Sequence, residues 1–401
     1  MWQWSPRKQP KSLTLVILAV ALALVLASCK SGGSEEAAAP SKPNPTTGAN
    51  QQGSPPKRNL AYIANVMDPT VSVLDLDKLT ISDNIVFPDL AGKQQGHFLS
   101  VSPDGKYVWI AEDISASGGY VQVLDLATRG VVKKWDVGAG VANYLTRDGK
   151  YLFTSSTKTN NINVFDVPNQ QFLGDFRLGA APHVIDTSPD GRVLWTTDGA
   201  GNLRSFDMSG LPEKLPRPLD SIYIGGNLHA VLAHPNGKYV FVGSADSGDN
   251  IVDVATKSIV AKVPGKPHNY EISPDRKYLL SGENEFATCD ELKDLGTALG
   301  NSTGPLLRLV NIAALDSAKP DLSAIKTEKW LDAAGLGPAS ISHQVYSPNG
   351  KQILVTTYLH KDVSAKGEGK LLIVDSSSLK VQSVLDLPTR PHAIAYPGHN
   401  R

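Results

Sequence analysis

Six of the nine histidines occupy one recurring position along the chain. Four of them lie seven residues before the Asp or Asn of a recurring tight turn, and His343 and His392 lie one residue closer to the matching Pro348 and Pro397. Neutral imidazole is a common ligand for copper, zinc and iron, so repeated histidines indicate metal or metal-cofactor chemistry. The six residues are His97, His183, His229, His268, His343 and His392.

The turn that follows these histidines reads Ser-Pro-Asp-Gly-Lys at residues 102–106. Pro presets φ at the first corner, Asp or Asn suits the second, and Gly accepts the left-handed position that closes a hairpin. Apolar runs flank each turn, so each copy predicts two antiparallel strands. The other copies are residues 146–150, 188–192, 234–238, 273–277 and 347–351.

A third strand in each unit ends in an Asp that can accept backbone N–H groups and start the next turn, as at Asp125. Four strands every 40–50 residues is the period of a propeller blade. The first unit has only three strands, whereas residues 391–396 form a first strand with no blade after it. We therefore predict an all-β, seven-bladed β-propeller, closed by a C-terminal strand that completes the N-terminal blade.

Two motifs of this chain resemble those of the YVTN-type bacterial propeller repeats. Tyr62-Ile63-Ala64-Asn65 is close to the signature of that family, and the Ser-Pro-Asp-Gly-Lys-Tyr turn is its other mark. The resemblance covers roughly residues 60–397 and implies the same fold. It does not imply one function, because such propellers bind, scaffold and catalyse.

The N-terminal segment is predicted to direct the chain out of the cytoplasm. Three basic residues precede an apolar run at residues 13–27, so residues 1–28 are expected to be a signal peptide. Leu26-Ala27-Ser28-Cys29 resembles the lipobox of bacterial lipoproteins, which implies a lipid on Cys29 and attachment to the membrane. Lys30 follows, and this favours the periplasmic face of the outer membrane; an ordinary secretory signal is the alternative.

Residues 29–58 are rich in Ser, Gly, Ala and Pro, and are predicted to be a disordered tether before a propeller at residues 59–401. The near-neutral charge and the lack of a basic run with aromatic residues argue against a nucleic-acid partner.

Long insertions are expected on the face where the histidines start their strands. Blade six inserts residues 283–305, blade seven inserts 358–369 with His360, and blade two adds 113–119. Long loops on a rigid scaffold usually carry function, so we expect a lid over the channel mouth. Its candidate residues are Glu283, Glu285, Cys289 and His360. The opposite face is expected to carry only tight turns.

The arrangement of the histidines favours a bound metal or metal cofactor, either copper, another transition metal or haem. It resembles the nitrous-oxide reductase propeller, whose copper cluster is held by histidines at the channel mouth. It also resembles the d-type haem propellers of nitrite reductases and their haem-maturation relatives. This chain has no cupredoxin domain and no Cys-x-x-Cys-His motif, so a self-contained reductase is disfavoured.

Two alternatives stay open at the level of the sequence, as does whether the protein is an enzyme. In the first, each imidazole bonds a carbonyl of the next blade, and the propeller is a scaffold for a protein or cell-wall partner. The second is a lactonase-like hydrolase that uses Glu283, Glu285 and one of the histidines, although no Gly-x-Ser-x-Gly motif is present.

Overall fold

Seven four-stranded antiparallel sheets make up the propeller, as predicted. The computed structural model describes residues 59–66, 68, 70–87, 98–115, 118–138, 142–283, 305–332, 339–359 and 369–399. No helix within these ranges is long and apolar enough to cross a membrane. The predicted signal peptide and the predicted tether lie outside the described residues.

Blades one to four contain the first fifteen strands and the last one. Blade one has the order β28-β1-β2-β3, and the next three blades run in chain order. The strands are β1 (Leu60–Asn65), β2 (Thr70–Asp75), β3 (Thr80–Val86), β4 (Phe98–Val101), β5 (Tyr107–Ser115), β6 (Gly118–Asp125), β7 (Gly130–Asp136), β8 (Asn143–Leu145), β9 (Tyr151–Ser156), β10 (Asn161–Asp166), β11 (Gln171–Arg177), β12 (Pro182–Thr187), β13 (Val193–Asp198), β14 (Asn202–Asp207), β15 (Arg217–Tyr223) and β28 (Pro391–Ala395).

Blades five to seven continue in the same way, with two short 3-10 helices, Ala313–Asp316 and Leu322–Ala324, between the last two strands of blade six. The strands are β16 (Leu228–Ala233), β17 (Tyr239–Ser244), β18 (Gly248–Asp253), β19 (Ser258–Val263), β20 (Pro267–Ile272), β21 (Tyr278–Glu283), β22 (Pro305–Asn311), β23 (Lys326–Asp332), β24 (Ala339–Tyr346), β25 (Gln352–Leu359), β26 (Gly369–Asp375) and β27 (Val381–Leu387).

The turn chemistry is the predicted one. Ser102 Oγ donates to Asp104 Oδ1 at 2.6 Å and accepts from the Tyr107 N–H at 3.0 Å, while Gly105 takes the left-handed conformation at φ 71°. Asp125 Oδ1 accepts the N–H groups of Ala127 and Thr128, both at 2.8 Å. These bonds to the ionised carboxylate lower the pKa of Asp125. Local hydrogen bonds therefore set the strand boundaries.

Strand β28 closes the ring as expected. Tyr62 pairs with Ala395 and Ile63 with Ile394. The neighbouring chain segments are joined by a bond from Thr389 N to Asp68 Oδ2 at 2.7 Å. Since β28 covers the free edge of β1, both termini of the propeller are held in one blade.

The core lies between blades rather than within them. One apolar cluster joins Val71 and Val73 of blade one to Val108 of blade two, and another joins Ile63 to Val345 across the closure. Each sheet is thus buried by its neighbours on both faces.

The residues that blade two was expected to add extend its central hairpin. Strand β5 continues to Ser115 and β6 begins at Gly118, so the addition lengthens two strands.

Candidate functional site

A β-bulge lies at or beside each described histidine of the repeated position. The pairing of β16 with β17 slips between Leu228 and Ala230, which leaves His229 as the extra residue. The same shift brackets His268, between Pro267 and Asn269. Bulges bend a strand and change the direction of a side chain, and they often lie beside functional sites. Corresponding shifts occur beside His183, His343 and His392.

Five imidazoles meet at this end of the inner strands, and we call them the histidine cluster: His183, His229, His268, His343 and His392. The ring centroids of His183 and His229 are 5.1 Å apart, and those of His229 and His268 are 5.7 Å apart. His392 lies 6.3 Å from His268 and 6.4 Å from His343.

His97, the sixth histidine of the series, lies outside the described residues. Its neighbour Phe98 is packed 5.1 Å from the His392 ring and 5.7 Å from the His343 ring. The third blade has no histidine at the repeated position. There Asn143 is buried and donates its amide to the Trp109 carbonyl at 2.8 Å.

The cluster has a buried part and a partly exposed part. His268, His343 and His392 are 7%, 3% and 2% exposed, whereas His183 and His229 are half-buried. His183 Nδ1 lies 3.1 Å from the His229 carbonyl, a hydrogen bond between adjacent blades.

His229 differs from its neighbours in its hydrogen bonding. Both of its ring nitrogens are buried, and neither has a hydrogen-bond partner among the described residues. Burial, followed by the nearby His183 and His268, lowers the pKa of His229 to about 3. The ring is therefore neutral near pH 7, and its lone pair is not used by the fold.

Within the described residues, no three His, Cys, Asp or Glu side chains are arranged to hold a metal ion. The cluster thus does not present a ready three- or four-ligand site of the kind that binds a single zinc ion. It can instead offer one imidazole to a metal whose other ligands come from a macrocycle.

Hydrogen bonds between blades hold the inner strands beneath the cluster. Asn269 Nδ2 donates to the Ser342 carbonyl at 2.9 Å, and Gln344 Nε2 donates to the Asn269 carbonyl at 3.1 Å. Thr356 Oγ1 donates to the His392 carbonyl at 2.5 Å. These contacts make the site a rigid part of the scaffold.

Glu283 does not belong to the inserted loop, contrary to the sequence expectation. It is the last residue of β21, is 1% exposed, and forms an ion pair with Arg308. Its Oε2 accepts the Lys266 N–H at 2.7 Å, two residues before His268. Glu283 therefore holds the segment that leads into the histidine cluster, and its carboxylate is not open to act as a hydrolytic acid or base.

Arg308 is the centre of a buried network that the sequence did not reveal. Its guanidinium also donates to Asp249 Oδ2 at 2.8 Å and to Ser281 Oγ at 3.1 Å. Burial is the largest effect on Glu283, and it raises the pKa of that carboxyl despite the opposing charge of Arg308. The network ties blade five to blade six.

Blade four repeats this arrangement with less burial. Asp198 also ends a second strand and is paired with Arg204 on the third, with 2.5 Å between Oδ2 and Nε. An acid at the end of a second strand and an Arg on the third strand of the same unit are therefore a sequence signal for such a pair.

Three predicted lid residues, Glu285, Cys289 and His360, lie outside the described residues, as does Cys29. The remaining histidines lie away from the cluster. His234 is fully buried in a turn on the opposite face, where its Nδ1 accepts the Asn236 N–H at 3.2 Å. His399 lies against Glu271, with 3.2 Å between Nε2 and Oε1.

Comparison with known proteins supports the fold. No protein-family model and no curated protein matches the chain. Among solved structures, it is similar to a functionally unknown protein from Desulfotomaculum acetoxidans, with a TM-score of 0.62 and 12% identity over 84% of this chain and 98% of that one.

Two further similar structures are enzymes. Dihydro-heme d1 dehydrogenase NirN in complex with DHE has a TM-score of 0.55 and 15% identity, over 88% of this chain and 78% of that one. Kuenenia stuttgartiensis hydrazine synthase has a TM-score of 0.55 and 17% identity, over 82% and 92%. At these identities the likeness concerns the fold alone.

Proposed function

We propose that this protein is a lipid-anchored, extracytoplasmic propeller that binds a metal-containing cofactor at the histidine cluster. The observation that carries the proposal is His229: a neutral imidazole, among four others, with neither nitrogen bonded among the described residues. A buried polar atom normally has a hydrogen-bond partner, so one without a partner calls for a ligand or another explanation.

The number of candidate ligands among the described residues suits a haem-type macrocycle better than a bare ion. Its metal needs one or two protein ligands, and no group of three is present in the part of the chain that the structure describes. NirN, a propeller of similar fold, is described with DHE bound, which supports the same ligand class. His229 is the ligand we assign, and its ring must turn about its side-chain bonds to direct a nitrogen outward.

The bound cofactor would supply redox or ligand-binding chemistry, while the propeller supplies a rigid frame. The bulges direct the imidazoles, and the bonds of Thr356 and Asn269 fix the strands that carry them. Glu283 positions the approach to His268.

The location is part of the proposal and rests on the N-terminal sequence. A lipid on Cys29 would attach the protein to the periplasmic face of the outer membrane, and residues 30–58 would let the propeller move away from the bilayer.

The test begins with elemental analysis and an absorption spectrum of the full-length protein from its native membrane fraction. Metal-free protein is then titrated with haem, copper and zinc. We expect a haem absorption band that shifts on binding and is lost in His229→Ala. His399→Ala is the matched control, because His399 lies at the other end of the inner strands.

A second candidate is a scaffold for a protein or cell-wall partner. It is favoured by the burial of His343 and His392, which pack against Phe98 as core residues do. Metal-free native protein that binds none of the three ligands, and in which each histidine variant loses about 1 kcal/mol of stability, would decide for the scaffold.

A further inference from the structure

In two of the six tight turns on the opposite face, an arginine replaces the Pro or the Gly of the repeat. Arg147 stands where the other turns have Pro, and Arg276 stands where they have Gly. The other five turns have Gly at φ 69–71°, and Arg276 adopts the same left-handed conformation at φ 61°. For a residue with a Cβ this costs about 1 kcal/mol, so the side chain is retained at a cost to the fold.

Both arginines line the same cavity. Its volume is about 350 Å³, which lies within the range of small-molecule sites. Pro189, Pro235 and Pro274 of three adjacent turns form the walls. Leu232 and Ile272, at the ends of inner strands, add apolar surface. The opposite face therefore holds more than the tight turns expected from the sequence.

Arg147 is held in place by its neighbours. Its Nη1 donates to the Thr187 carbonyl at 3.1 Å, and its Nη2 lies 3.7 Å from Asp186 Oδ2. Asp186 is 1% exposed, so the guanidinium rests on a buried counter-charge. A fixed, planar donor of this kind is suited to bind an oxyanion.

Arg276 has an N–H group that is not used by the described part of the fold. Its Nη2 donates to Asp316 Oδ1 at 2.9 Å, whereas its Nε is buried and has no hydrogen-bond partner among the described residues. Glu271 also lines the cavity, and its carboxylate is bonded to His399 Nε2 at 3.2 Å. Its Oε1 is thus already bonded to a neighbouring side chain.

We propose that this cavity binds a small organic anion. Its carboxylate or phosphate head pairs with Arg147 and Arg276, and its apolar body packs on Leu232 and Ile272. The site lies at the opposite end of the inner strands from the histidine cluster, so its occupancy does not depend on a metal.

Isothermal titration of the full-length protein with benzoate, phenyl phosphate and benzylammonium tests the site. We expect at least one of the two anions to bind and benzylammonium not to bind. Binding of benzoate alone assigns a carboxylate head, and binding of phenyl phosphate alone assigns a phosphate head. Arg276→Gly should weaken binding of the anion at least tenfold. It should not lower the melting temperature, since Gly suits the left-handed position.

Arg192→Ala is the matched control, because Arg192 is an exposed arginine in the turn of blade four on the same face and does not line the cavity. It should leave the affinity within twofold. Arg147→Lys keeps the charge but loses the planar guanidinium with its paired N–H donors, so it should weaken binding of the anion several-fold. Failure of both anions to bind at millimolar concentration, equal binding of benzylammonium, or unchanged affinity in Arg276→Gly overturns the proposal.

Discussion

Replacing Arg308 by Met tests the view that the buried ion network stabilises the junction of blades five and six. The guanidinium is 0% exposed and bonds Asp249, Glu283, Ser281 and Thr327. Met fills a similar volume but leaves two buried carboxylates without their counter-charge. Breaking such a pair costs about 3–5 kcal/mol, which lowers the melting temperature of a domain of this length by about 5 °C.

The pH dependence gives this prediction a sign. Without Arg308, whose charge lowers it, the raised pKa of Glu283 must rise further above its ordinary 4.5. An acid with a raised folded-state pKa destabilises the fold when ionised, and this cost disappears as the pH falls through that pKa towards 4.5. The difference in melting temperature between Arg308→Met and the wild type should therefore shrink from pH 8 to pH 5.

Thermal melts followed by circular dichroism at both pH values provide the measurement. Arg308→Met combined with Asp249→Asn and Glu283→Gln is the matched control, because it removes all three charges and should recover most of the loss. The network does not act as described if the melting temperature of the single variant is within about 1 °C of that of the wild type. The same holds if its melting temperature is lowered by the same amount at pH 8 and at pH 5.

Three other changes follow from the same physical arguments. Arg204→Met should lower the free energy of unfolding, measured by chemical denaturation, by only about 1 kcal/mol, because Arg204 is 28% exposed and water replaces part of the lost interaction. A loss as large as that of Arg308→Met would contradict this. Deleting residues 390–401 removes β28 and exposes the edge of β1, so it should lower the free energy of unfolding by several kcal/mol and promote association. An unchanged melting curve with a monomeric gel-filtration profile would refute closure of the ring by β28. Cys29→Ala should move the protein from the membrane to the soluble periplasmic fraction on cell fractionation, and membrane retention would exclude the lipid anchor.

The fold was predictable because the turns that separate its strands are set by local hydrogen bonds. Ser102, Asp104 and Gly105 make the turn with bonds that span at most five residues, and Asp125 starts the next turn within three. Repetition of these short-range signals gives the blade count, and the unpaired first strand at the C-terminal end of the propeller gives the closure.

The site was only partly predictable, for the same reason. Similar spacing from the turn placed the histidines at one end of the inner strands, but nothing in that spacing distinguishes His229 from His268. Their difference in exposure and bonding depends on how neighbouring blades pack. The Arg308 network was missed because Asp249 lies 59 residues away, in another blade. The arginine cavity was missed because Arg147 and Arg276 become neighbours only when the ring forms.

The pairing of β28 with β1 also affects the order of folding. The partners of this sheet lie more than 300 residues apart in the chain, so the inner edge of the first blade stays uncovered until the last strand has been synthesised. Contacts of such high sequence separation form slowly, because the entropy of loop closure must be overcome first. Because the two ends of the propeller are adjacent, a circularly permuted chain opened in a tight turn should still reach the same fold.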